Sequence, residues 1–156
     1  EKALMALGPA AAGALLTMLR EDDLARRLAA LHALMFAVDA TPVMDELAEM
    51  LSSPELDGKL REDAALILLE TVKQPSDEIA QAFDAALSDS SWDDRWTIIA
   101  GTHVLGARAV GFLTEALSVQ DEDVVLTALL ELERLGPDAH GCEAEVVGLL
   151  ADGTLM

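Results

Sequence analysis

The chain has 156 residues, enough for one domain with a real core, and 52% of them are hydrophobic, which excludes a disordered polymer. Ala and Leu dominate, aromatic residues make up 3% and tyrosine is absent, so the composition favours helices over sheet. Twenty-nine acidic against ten basic side chains leave a formal charge of −19, which disfavours nucleic acid and anionic membrane and fits either a basic protein surface as partner or simply high solubility.

In chain order, residues 1–7 read as the tail of a preceding helix, ended by Gly8-Pro9. The uncharged run from Ala3 to Leu19 is 17 residues long, but Gly8-Pro9 interrupts it and alanine fills much of it, so it reads as a core helix and not a membrane span. Glu1 cancels Lys2 and no clear cleavage site follows, which argues against a secretion signal; the start without Met predicts a fragment of a longer chain. Five first helices are predicted at about 9–20, 41–52, 76–88, 107–118 and 139–151, represented by "AGALLTMLRED", "MDELAEMLSSP", "IAQAFDAALSD", "VGFLTEALSVQ" and "EAEVVGLLADG". Their closing leucines, Leu19, Leu51, Leu87, Leu117 and Leu150, are spaced by 32, 36, 30 and 33 residues, a drifting period of one helical hairpin.

Four second helices alternate with them, at about 23–37, 58–73, 91–105 and 121–135. Asp23, Asp57, Ser91 and Asp121 stand at their starts in register with the repeat, where a side-chain oxygen can accept an orphan backbone N–H. Four residues after the first three caps come Arg27, Arg61 and Arg95, a ladder that ends where Val125 takes the fourth place. The D-x-x-x-R spacing predicts exposed pairs with acids of the same or an adjacent repeat, and hence a mild effect of Arg61→Ala. Within "SWDDRWTIIAGTHVLG", Asp94 fits a capping-box acid and Asp93 a dipole-favoured one. Trp92 and Trp96 lie one turn apart, with Ile99, Ala100 and His103 continuing the stripe, as packing between repeats or as a partly exposed binding anchor.

"LGPAAAGALLTMLRED" with "DLARRLAALHAL", and "LGARAVGFLTEALSVQDEDVVLTALLELERLGPDA", resemble short bacterial HEAT repeats of the phycobilisome-lyase type over nearly the whole chain. The resemblance implies an all-α fold, a right-handed α-solenoid of antiparallel helix pairs, spanning 1–156 as about four pairs and a half repeat. It implies a scaffold that binds proteins and no particular chemistry. The second repeat is stretched by "SSPELDGK", and the fourth lacks the arginine.

Chemistry finds little support in the residues. His32, His103 and His140 fall in separate repeats without ligand spacing, so neither a metal nor a cofactor is expected. Cys142 follows His140 by two positions, a spacing that would put them on different helix faces, which argues against a thiol dyad. "DSSWDD" and "DEDVV" lack the glycine and terminal glutamate of a calcium loop. One cysteine makes no internal disulfide, which suits a cytoplasmic protein. The leading reading is a non-catalytic interaction scaffold whose second helices line a concave acidic side through Asp63, Glu70, Trp92, Thr97, Thr127, Glu131 and Arg134. Its alternative is an enzyme on a HEAT-like fold, a chromophore lyase or a DNA glycosylase, the latter disfavoured by the charge. Leu4 and Leu149 mark uncapped ends through which copies could associate.

Overall fold

A computed structural model describes residues 8–37, 40–89 and 93–151, and among these residues every regular element is a helix. They fall into two compact units, residues 1–92 and 93–156. No helix among the described residues is long and apolar enough to cross a membrane.

The first unit holds α1 (Gly8–Leu19), α2 (Leu24–Ala37), α3 (Met44–Ser52), α4 (Gly58–Thr71) and α5 (Asp77–Leu87), with a 3-10 turn at Thr41–Val43. Pro42 explains that turn: it fits the first helical positions but cannot donate to a preceding carbonyl, so the predicted helix at 41–52 begins as a tight turn. Helices pack within pairs, α1 on α2 and α3 on α4, and also like on like between pairs, α2 on α4 and α3 on α5. Leu19, Leu31, Leu47, Leu51, Ile67, Leu68 and Phe83 are fully buried between them. The period of the closing leucines thus has a packing cause, because Leu19, Leu51, Leu87 and Leu117 are all buried; the side chain of Leu150 lies outside the described ones.

The caps act as their spacing suggests. Asp23 accepts from the N–H groups of Ala25 and Arg26, Asp57 from Lys59, and Asp121 from Asp123 and Val124. Ser91 lies outside the described residues, as do the side chains of Asp93 and Asp94. A further cap, Ser76, accepts from Ile79 at the start of α5.

The second unit contains α6 (Val110–Ala116), α7 (Glu122–Leu135) and α8 (Glu143–Ala151), with 3-10 segments at Asp93–Ile98, Thr102–Ala109 and Gly136–Ala139. Here the predicted α-helix at 91–105 is corrected: the chain forms two 3-10 segments separated by a turn. Trp96, Thr97, Ile98 and Ile99 are aromatic or β-branched and weak helix formers. Gly101 then takes φ 95°, the left-handed conformation that stops a helix, and the Thr102 hydroxyl donates to Ile99 O. Gly106, at φ 61°, turns the chain again, so the next first helix begins at Val110 and not near 107. Gly136 ends α7 at φ 55°, and Pro137 starts the turn that delays α8 to Glu143.

Candidate binding surface

Two of the three ladder arginines, Arg61 and Arg95, are buried, which corrects the expectation of exposed pairs at those positions. Arg61 is 3% exposed; its Nε donates to Leu51 O at the end of α3, 3.1 Å away, and its guanidinium pairs with Asp89 at 2.8 Å. It therefore joins the end of α3 to the turn after α5, satisfying a terminal carbonyl and a carboxylate together. Arg95 is 7% exposed and pairs with Glu115 at 2.6 Å. Its guanidinium also lies 4.5 Å from the ring centre of Trp96, which stacks on Phe112 at 5.1 Å. Trp96 is thus a packing residue; Trp92 lies outside the described residues. Arg27 is half-buried, and its Nε finds no acceptor. The spacing in the sequence does not show that the stems of Arg61 and Arg95 run inward to partners 28 and 20 positions away.

Two of the predicted partner-binding acids belong to the interior, and this is a second correction. Asp63 and Glu131 are each 1% exposed. Asp63 Oδ1 pairs with Lys59 Nζ at 3.0 Å, while its buried Oδ2 has no hydrogen-bond donor and sees only His32 Nε2 at 3.8 Å. The Asp63 carboxylate, followed by that of Glu62, holds the Lys59 ammonium above its ordinary pKa. Glu131 is fully engaged: one oxygen accepts from the backbone N–H groups of Gly101 and His103, each at 3.0 Å, and from His103 Nδ1 at 2.7 Å, and the other accepts from Arg134. Burial pushes its carboxyl up, but the two His103 donors and the nearby positive charge, Arg134 included, outweigh burial and hold it below its usual value.

The other predicted contacts are divided between the two units. Glu70 is exposed on α4, in the first unit, whereas Thr97, Thr127 and Arg134 lie in the second. Thr97 is exposed; Thr127 is half-buried and donates back to Asp123 O; Arg134 is exposed but tied to Glu131.

A concavity in the first unit is a feature that sequence reasoning missed. An open groove of about 760 Å³ runs between α3 and α5. Asp45, Glu49 and Ser52 line one wall, Ser76, Glu78 and Gln81 the other, and the buried Ala48 and Ala82 form its floor. Asp45, Glu49 and Glu78 have no ion-pair partner among the described residues, whereas Glu46 on the same helix pairs with Arg20 at 2.8 Å. The backbone N–H of Glu78, and then the Ser76 hydroxyl, hold the Glu78 carboxyl below its usual pKa. The signal was available as acids at i and i+4 on a first helix with an alanine between them.

A second hollow, of about 450 Å³, lies in the second unit between Leu132, Ala139, Cys142, Val146 and Val147, with His140 and Glu143 at its edge. His140 and Cys142 line the same hollow because residues 140–142 are a turn and not a helix, contrary to the expectation of separate faces. The Cys142 thiol donates to Ala139 O, and His140 lies 3.6 Å from Glu143. Among the described residues no group of three or more His, Cys, Asp or Glu side chains is placed to hold a metal ion. Leu4 and the side chain of Leu149 are outside the described set, but Leu126, Leu130 and Val147 are exposed at 50%, 54% and 63%. Compared with family models, with curated proteins and with solved structures, the chain finds no match.

Proposed function

We propose that this protein is a non-catalytic helical scaffold of the HEAT kind, a right-handed solenoid that works in the cytoplasm by binding another protein with a basic surface. The observation that carries the reading is the like-on-like packing of successive hairpins, α2 on α4 and α3 on α5, with cap residues repeating in register. Such stacking leaves each pair dependent on its neighbours and presents long helical faces for recognition. The conspicuous polar groups of the interior, Arg61, Arg95 and Glu131, are engaged in holding elements together, so the charge available to a partner is the unpaired surface acid. With a net charge of −19, that surface speeds encounter with a basic partner, while apolar contacts supply more of the affinity.

The test is capture of partners from a lysate on the full-length chain at low ionic strength, followed by kinetics of the purified pair. A specific protein whose association rate falls several-fold between about 0.05 and 0.5 M salt is expected. Turnover of a small molecule by the purified chain, or retention of nucleic acid alone, would overturn the reading.

A further inference from the structure

The groove between α3 and α5 differs from the rest of the acidic surface in having shape: two helical walls, a floor and about 760 Å³ of space. That volume lies within the span of roughly 300–1,000 Å³ common to ligand clefts. Both walls carry carboxylates and neither carries a base, while the floor is made of Ala48 and Ala82. An alanine floor accepts the methylene stems of long basic side chains, and carboxylates above it accept their charged heads.

The spacing narrows the occupant further. Asp45 and Glu49 are four residues apart, which is about 6 Å along a helix axis. In an extended chain, side chains on one side recur every second residue, or about 6.6 Å. A basic segment in extended form therefore matches successive arginines to successive carboxylates of one wall, with Glu78 on the other wall of the same groove.

Resting on the scaffold reading above, we infer that this groove is the docking site for an extended Arg-x-Arg segment of a protein partner. The groove lies on the first-helix side, so Asp63 and Glu131, interior residues of second helices, play no part in it.

The probe is an eight-residue peptide alternating arginine and alanine, titrated into the full chain at about 0.05 M salt. Glu49→Gln with Glu78→Gln is expected to weaken it about tenfold. The same loss of two charges outside the groove lining, Glu55→Gln with Glu70→Gln, both exposed in the same unit, is expected to weaken it no more than about threefold. Gln81→Trp fills the groove without changing charge and is expected to abolish binding, with circular dichroism unchanged. A peptide of the same composition with its four arginines contiguous is expected to bind several-fold more weakly. Equal losses in the two double variants, or full binding by Gln81→Trp, would overturn the groove as the site. A protein partner still captured at wild-type level by the groove variants would leave the scaffold reading standing while refuting this one; a wild-type chain that captures no protein would refute the scaffold itself.

Discussion

At Arg61, one guanidinium reaches both the last carbonyl of α3 and the Asp89 carboxylate, and almost none of the side chain meets water. Truncating one member of a buried pair leaves the other charge without compensation, at a cost of roughly 3 kcal/mol. Arg61→Ala is therefore expected to lower the denaturation midpoint strongly, whereas Glu70→Ala, at an exposed site on the same helix, should stay within about 0.5 kcal/mol of the parent. Urea unfolding of the two variants checks this, and equal midpoints would refute the assignment. The helix caps were legible because Asp23, Asp57 and Asp121 act on backbone two and three positions away. The burial of Arg61, Asp63 and Glu131 was not, because a lone polar residue on a helical face looks the same in sequence whether it meets solvent or a partner brought from a distant segment.

At the level of elements, the two 3-10 segments that open the second unit meet at a turn held by one buried carboxylate. Glu131 sits on α7 yet accepts the free N–H groups of Gly101 and His103, acting as a cap supplied from another helix. The apolar stripe through Trp96 and Ile99 runs at helical spacing across the break, which is why periodicity alone predicts one continuous helix there. Gly101→Ala forces a side chain into the left-handed region and is expected to cost about 1–3 kcal/mol. A gain in helicity without loss of stability would show instead that glycine alone imposes the break. The pH dependence follows from the sign of the Glu131 shift. Its folded pKa is below its unfolded one, so its stabilisation is present at neutral pH and is lost as pH falls below the ordinary glutamate range. Glu131→Gln should lower the neutral-pH midpoint and reduce the acid dependence of stability, read by unfolding at pH 7 and pH 3.5. An unaltered acid slope would mean that other carboxylates carry it.

For the molecule as a whole, the dominant quantity is the charge of −19 with an isoelectric point near 4.2. At neutral pH this self-repulsion opposes association through Leu126 and Leu130, one turn apart on α7, and Val147 on α8, which are exposed. Acidification from pH 7 toward 5 removes part of that repulsion before the Glu131 contacts are lost, so the fold persists while the barrier to association falls. Self-association is therefore expected to rise over this interval, and also with added salt, which screens the same charge over about 8 Å at 0.15 M. Leu126→Gln with Leu130→Gln removes apolar surface that is already half in water, so the thermal midpoint should change little while association at pH 5 is suppressed. Sedimentation of parent and variant at pH 7 and pH 5 measures the effect. If the variant associates as strongly as the parent, the contact lies elsewhere on the molecule, and the exposed leucines of α7 owe their exposure to solvation of a mixed surface and not to an unfilled interface.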